Sequence, residues 1–145
     1  MDGDYQSSSP QATRRLGVRL GRLLNAGDVV ALIGELGAGK TCFVHGLAEG
    51  LEISRDVPIP SPTFTVVNTY HQGRVTLYHL DLYRLGELDE LEAIGYRDFL
   101  DGEGVTVLEW ADRVPGALPA KFVEVVIKAS PAGNKRSIAI RRKPC

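Results

Sequence analysis

Two segments in the first third of the chain carry apolar residues at the spacing of an amphipathic helix. The first begins where Ser7, Ser8 and Ser9 are followed by Pro10, a sequence that favours a helix start because serine can cap the first turn and proline needs no backbone N–H there. It is expected to end near residues 25–27. The second helix is predicted to carry Phe43, Val44, Leu47 and Leu51. Between the two, residues 29–33 form an unbroken apolar run, which is typical of a parallel strand covered on both faces.

Strand patterns dominate the rest of the chain. Residues 63–70 and 75–83 are rich in β-branched and aromatic side chains and are separated by a short polar segment with one glycine, which predicts a hairpin. Residues 86–101 are acidic and compatible with a helix. The remaining strand-like segments are residues 105–108, 122–127 and 137–140. This order of elements predicts an α/β fold with a mixed β-sheet flanked by helices and with antiparallel hairpins added.

Length and composition are those of one globular domain. The chain has 145 residues, of which 43% are hydrophobic and 24% charged, and its net charge is −1. We therefore predict a single domain over residues 1–145, with the polar residues 1–9 as a disordered tail. No apolar run approaches the roughly 20 residues that span a bilayer, no secretory signal is visible, and two cysteines make no disulfide framework. These features predict a cytoplasmic protein.

Acidic and basic residues are unevenly distributed along the chain. Residues 81–109 contain nine acidic residues and two basic ones, whereas residues 110–145 contain two acidic and eight basic ones. Each block could be a solvated face, or one face could meet a partner of opposite charge, or RNA held near such a partner. Composition does not choose between these interpretations.

A glycine-rich loop between the first apolar run and the second helix is the strongest chemical signal. Residues 34–41 read GELGAGKT and match the pattern G-x-x-x-x-G-K-[ST] in full. Glycines let consecutive backbone N–H groups converge on one anion, and the following helix adds the N–H groups of its first turn. Lys40 is predicted to reach the outer phosphates and Thr41 to ligate Mg²⁺. The loop therefore predicts a P-loop NTPase-like fold that binds a magnesium-bound nucleoside triphosphate.

P-loop enzymes usually place a carboxylate beside the metal, at the end of a neighbouring strand. Two acidic residues of this chain are candidates for that role. Glu109 ends the apolar run 105–108, so its position favours it as the Walker B-type acid. Asp81 ends a strand whose alternation predicts one exposed face, and it would support the γ-phosphate or the metal. The same alternation favours a half-buried structural role for His79. Trp110 could stack on a base or pack against the loop.

Four motifs, in this order, resemble the TsaE (YjeE) ATPases of tRNA threonylcarbamoyladenosine biosynthesis. They are GELGAGKT at residues 34–41, SPTF at residues 61–64, HLDLYR at residues 79–84, and Glu109-Trp110. The resemblance runs over nearly the whole chain. It implies a P-loop ATPase with ATP and Mg²⁺ as cofactors, weakly active alone. It also implies TsaD-like and TsaB-like partners, which would carry out the transfer while ATP hydrolysis here resets their complex.

The resemblance also implies the functional residues. The catalytic residues would be Lys40, Asp81 and Glu109, and Mg²⁺ would be held by Thr41 and Glu109. Nucleotide binding would involve Leu36, Gly37, Ala38, Gly39, Lys40, Thr41, Asp81, Trp110 and Gly133. The segment 61–63 would lie beside the γ-phosphate in the manner of a switch loop.

Two other functions stay open at this point. A small-molecule or nucleoside kinase would need an acceptor pocket and a basic lid, for which the span 85–101 is too acidic. A binding module in which the nucleotide holds a partner surface without turnover would need no catalytic carboxylate. The regulatory ATPase is the first hypothesis, and the lack of an obvious strong base agrees with it, because phosphoryl transfer depends mainly on positioning and charge stabilisation.

Overall fold

The computed structural model describes residues 1–35, 38–60, 62, 67–83, 88–93, 95–100, 102–114 and 116–144. The strands among these residues are β1 Gly3–Ser7, β2 Val29–Ile33, β3 Val67–Tyr70, β4 Leu77–Asp81, β5 Val105–Glu109, β6 Phe122–Ala129 and β7 Arg136–Lys143. The helices are α1 Pro10–Leu23, α2 Lys40–Gly50, α3 Leu88–Ala93 and α4 Tyr96–Leu100, with a 3₁₀ turn at Ala111–Arg113. The acidic segment 86–101 thus contains two short helices.

One sheet joins all of these strands in the order β1-β7-β6-β2-β5-β4-β3. Its centre is parallel, because β2 pairs in parallel with both β5 and β6, and β5 pairs in parallel with β4. The two edges are antiparallel, since β3 runs against β4 while β7 runs against both β6 and β1. The predicted mixed sheet with antiparallel hairpin additions is therefore confirmed.

Alternating residues of the central strands divide the core between the two faces of the sheet. Val30 and Leu32 of β2 pack with α1 and α2 on one face. Val29 and Ala31 of β2 pack on the other face with residues of α3 and α4. Helix α1 begins after Ser9, whose Oγ accepts the N–H of Ala12, so the helix start predicted from the three serines before Pro10 is confirmed. None of the helices in the described ranges combines the length and apolar character needed to cross a membrane.

The prediction of a disordered tail over residues 1–9 is wrong, because β1 lies within it. This strand pairs with β7 along its whole length, from Gly3 opposite Ile140 to Ser7 opposite Arg136. Ser7 is buried, and its Oγ lies 2.7 Å from Oγ1 of Thr13 in α1. The pairing uses backbone groups and a partner from the opposite end of the chain, so the polarity of the segment did not reveal it.

The prediction that the strand ending at Asp81 has an exposed face is also wrong. β4 lies between β3 and β5 in the sheet, and its residues Leu77, His79, Leu80 and Asp81 are buried. In the register of β4 with β5, Asp81 stands opposite Glu109. Both residues therefore lie at the carboxyl ends of two neighbouring parallel strands, on the same side of the sheet.

Helices α1 and α2 cross at very short range because glycines line the crossing. Gly17 and Gly21 of α1 face Gly46 and Gly50 of α2, and each packs directly on the backbone of the other helix. A Cβ atom added at Gly46 would lie 2.0 Å from the carbonyl oxygen of Arg14. The crossing therefore has no space for a side chain at this position.

We expect Gly46→Ala to lower the free energy of unfolding by about 1–3 kcal/mol, because the two backbones must separate. In an unconstrained helix the same substitution stabilises by roughly 0.5–1 kcal/mol, so the sign of the change tests the packing. Urea denaturation measures it, and Arg15→Ala at an exposed position of α1 serves as the control. Unchanged or increased stability of Gly46→Ala would contradict the close crossing.

Candidate functional site

A cavity of about 740 Å³ opens at the carboxyl ends of β4 and β5. Its walls come from four separate parts of the chain: the start of α2, the ends of β4 and β5, the segment that leads into α1, and the turn between β6 and β7. Of the residues predicted for the site, it brings together Gly39, Lys40, Thr41, Asp81, Glu109, Trp110 and Gly133. Ala38 precedes this group directly, while Leu36 and Gly37 lie outside the described residues.

Helix α2 presents its N-terminus to this cavity. Its N-cap is Gly39, whose φ of 102° and ψ of 15° lie in the left-handed region that favours glycine. Within the described part of the chain no side chain caps this helix, so the N–H groups of its first turn can serve as donors to a ligand. Such a helix end attracts anions, because the free N–H groups and the helix dipole act together. Thr41, in the same turn, is exposed.

Lys40 places a buried ammonium group beside these donors. The residue is 7% exposed, and its Nζ has no hydrogen-bond partner among the described residues. Nζ lies 3.6 Å from the centroid of the Trp110 ring. Burial lowers the pKa of Lys40, and the negative charges of Glu109, Asp81 and Asp112 oppose that shift. Because a buried cation without acceptors is costly, oxygen atoms of an anionic ligand would stabilise it here.

Asp81 and Glu109 both line the cavity and stand opposite each other on β4 and β5. Each is 4% exposed. Oδ1 of Asp81 accepts the backbone N–H of Tyr83 at 2.8 Å, and Oε2 of Glu109 is hydrogen-bonded to Nε2 of His79. Strand position had favoured Glu109 over Asp81, but the structure gives both residues equivalent positions at the ends of adjacent parallel strands.

His79 is a site residue whose role the sequence did not reveal. It is 2% exposed rather than half-buried, and it contacts Glu109. Its spacing of two residues from Asp81 placed both side chains on one face of the strand, which was a usable signal. The contact between the His79 ring and Glu109 depends on the register between β4 and β5, which the sequence does not specify.

Trp110 forms part of the cavity wall in an unusual backbone conformation. Its φ of 59° and ψ of 36° are left-handed, which is uncommon for a residue other than glycine. Its N–H donates to the carbonyl oxygen of Leu32 in β2 at 3.2 Å. The indole packs on Lys40 and meets Tyr83 edge-on, with ring centroids 5.0 Å apart. The structure thus shows the tryptophan packed against the lysine of the glycine-rich loop.

The turn between β6 and β7 forms a further wall and is tied to the loop before α2. Gly133 lies in this turn with a φ of 76°. Nε of Arg136 donates to the carbonyl oxygen of Ala38 at 2.9 Å, and its Nη1 donates to the carbonyl oxygen of Gly133 at 2.9 Å. In the sequence, Arg136 is only one of the basic residues of the C-terminal block, because its contact with Ala38 depends on the sheet order.

A family model described as "Threonylcarbamoyl adenosine biosynthesis protein TsaE" matches residues 7–138. The chain belongs to the TsaE family. It is 49% identical over 129 residues to the tRNA threonylcarbamoyladenosine biosynthesis protein TsaE of Treponema pallidum, covering 89% of this chain and 93% of that protein. It is 40% identical over 124 residues to TsaE of Bacillus subtilis, covering 86% of this chain and 76% of that protein.

The fold of this TsaE family member is also found in a solved structure. The crystal structure of Bacillus subtilis YdiB matches it with a TM-score of 0.81 at 33% sequence identity, covering 97% of this chain and 84% of that chain. The resemblance based on four motifs and the predicted fold class are therefore confirmed. The roles assigned to individual residues stay predictions.

The acidic and hydroxyl groups of this TsaE family site suit Mg²⁺, which takes few protein ligands, better than they suit a metal ion bound entirely by side chains. Among the described residues, no group of three or more His, Cys, Asp or Glu side chains could hold a metal ion. Mg²⁺ in nucleotide sites is usually bound through one or two carboxylates, and phosphate oxygens and waters complete its shell. Glu109, Asp81 and the hydroxyl of Thr41 offer ligands of this kind beside Lys40.

Proposed function

We propose that this protein is a Mg²⁺-dependent ATPase that regulates or resets a TsaD-like and TsaB-like complex in the threonylcarbamoyladenosine modification of tRNA. The observation that carries the proposal is the buried ammonium of Lys40, without a hydrogen-bond partner among the described residues, at the open N-terminus of α2. The pathway follows from the family description and from the names of the relatives.

The residues of the site divide into a phosphate side and a metal side. Lys40 and the first N–H groups of α2 would bind the outer phosphates, since they are the donors that converge on the cavity. Thr41 and Glu109 would hold Mg²⁺, and Asp81 would orient the metal or the γ-phosphate from the adjacent strand. When bound, Mg²⁺ would neutralise charge that develops on the transferred phosphoryl group.

Slow hydrolysis by the isolated chain is expected from this arrangement. Both carboxylates are buried and already hydrogen-bonded, Asp81 to the N–H of Tyr83 and Glu109 to His79, so neither is free to take a proton from water. Tyr83 is 38% exposed and contacts Trp110, which itself packs on Lys40. A partner protein that contacts Tyr83 could therefore shift Trp110 and Lys40 in the nucleotide site. Through this contact the partners would accelerate turnover.

Steady-state ATP hydrolysis by the chain alone, and after addition of TsaD-like and TsaB-like proteins, tests the proposal. We expect a low rate alone and a several-fold higher rate with both partners, because a partner that covers Tyr83 would act on Trp110 and Lys40 in the wall of the site. With tRNA present, threonylcarbamoyladenosine formation should continue past one turnover only when ATP can be hydrolysed. Rapid hydrolysis alone that partners leave unchanged would contradict a regulatory role. Phosphorylation of added nucleosides would instead support the kinase alternative.

A further inference from the structure

The buried contact between His79 and Glu109 carries an inference about how the metal side of the site is held in place. We propose that His79 is a positioning residue that fixes the Glu109 carboxylate in the orientation in which it binds Mg²⁺. The proposal rests on the proposed function, because it concerns the same metal site. It assigns to His79 a role exerted through Glu109, without direct contact with the nucleotide.

The geometry ties a flexible side chain to a rigid strand. Nε2 of His79 is hydrogen-bonded to Oε2 of Glu109, and the two side chains are 2% and 6% exposed. Both residues lie on central, paired strands, β4 and β5. Because a carboxylate oxygen only accepts, Nε2 carries the hydrogen of this bond. The bond engages one carboxylate oxygen and limits the rotation of the Glu109 side chain. Less conformational entropy is then lost when Glu109 binds a metal.

Packing alone does not explain a histidine at this position. Its Nδ1 is buried and has no hydrogen-bond partner among the described residues. A buried polar atom left unpaired costs about 1–3 kcal/mol, a cost that an apolar side chain of similar size would avoid. The neighbouring buried positions of the same strand, Leu77 and Leu80, are apolar. The bond to Glu109 is the compensation that the structure shows for this ring.

Hydrogen-bond partners of metal-binding carboxylates commonly set their orientation, and losing such a partner typically costs about 10- to 100-fold in metal affinity or activity. The register places His79 beside Val107, two residue pairs before the opposed Asp81 and Glu109. The histidine thus supports the carboxylate from the core side. The nucleotide cavity lies on the other side, since Glu109 lines it and His79 does not.

Calorimetric titration of ADP over a range of Mg²⁺ concentrations, together with ATP turnover, tests this role. We expect His79→Leu to raise the Mg²⁺ concentration needed for half-maximal effect by about tenfold or more and to lower kcat by a similar factor. Binding of ADP in EDTA should stay unchanged, because this variant keeps Lys40 and the charge of Glu109 and no metal is bound there. His79→Gln, which keeps a side-chain N–H donor, should recover most of the loss.

A double-mutant cycle separates positioning from a general structural effect. In a Glu109→Ala background, His79→Leu should cause no further loss of turnover, because the side chain that His79 positions is absent. Thermal unfolding verifies that each variant is folded. If His79→Leu does not fold, His79→Asn replaces it, because the shorter amide cannot reach Glu109.

Two results would overturn the positioning role: a folded His79 variant with the wild-type Mg²⁺ dependence, or an equal loss with and without Glu109. Failure of the proposed function is distinguishable from both, since wild-type protein would then show no Lys40-dependent binding of ADP or ATP.

Discussion

Replacing Lys40 with methionine is expected to weaken the binding of ATP by about 10- to 100-fold, the effect of losing one or two charge-assisted hydrogen bonds. Nζ of this lysine is buried and has no hydrogen-bond partner in the described parts of the chain, so phosphate oxygens would be its acceptors. Methionine keeps an unbranched apolar stem of similar length against Trp110 and removes only the charge. The variant should therefore stay folded while it loses affinity.

The surrounding acids make the expected loss larger than that of a single hydrogen bond. Glu109, Asp81 and Asp112 all act on the lysine by favouring its charged form. Without the ammonium, the same negative charges would face the triphosphate with no cation between them. Repulsion then adds to the lost attraction, and binding in the absence of Mg²⁺ should suffer most.

Calorimetric titration with ATP, with and without Mg²⁺, measures the change. The sole tryptophan offers a second readout, because Trp110 lies 3.6 Å from the lysine Nζ and its fluorescence should respond when phosphate draws the ammonium away. Lys128→Met, at an exposed position of β6, is the matched control and should bind as wild type does. Wild-type affinity in the Lys40 variant would mean that the cavity binds no phosphate through this loop.

Local pattern was sufficient where one segment determines its own structure. The glycine-rich loop and α2 share a single stretch of sequence, and Gly39 adopts the left-handed conformation for which glycine is suited. The Ser9 cap of α1 and the covered strand β2 likewise depend on a few adjacent residues. These elements were predicted because sterics, capping and apolar periodicity act within about ten residues of the chain.

Long-range pairing determined what the sequence could not reveal. β1 exists because β7, from the opposite end of the chain, offers it a partner, and its alternating polar residues resemble those of a solvated tail. The contact of His79 with Glu109 depends on the register between β4 and β5. Arg136 reaches Ala38 only because β7 lies beyond β6 at one side of β2. A one-residue shift in any of these pairings would turn the side chains away from the site.

Glu109→Gln should lower the turnover number for ATP by about 100-fold or more while leaving the fold intact, because charge stabilisation in a buried site is worth several kcal/mol to phosphoryl transfer. Glutamine has nearly the same shape, and its amide oxygen can still accept the hydrogen bond from His79. The variant therefore removes the charge that would bind Mg²⁺ without removing the packing. Binding of ATP in EDTA should persist, because a negative charge beside the phosphates is lost.

The contrast between binding and turnover in this variant decides between catalysis and a passive nucleotide-dependent switch. Glu124→Gln on β6, outside the cavity, is the control and should hydrolyse ATP as wild type does. If Glu109→Gln binds ATP and the partner proteins yet fails to sustain repeated tRNA modification, hydrolysis itself is required, because occupancy of the site is unchanged. If the variant sustains modification fully, the nucleotide only holds a surface in place, and the buried carboxylate at the end of β5 has no catalytic role.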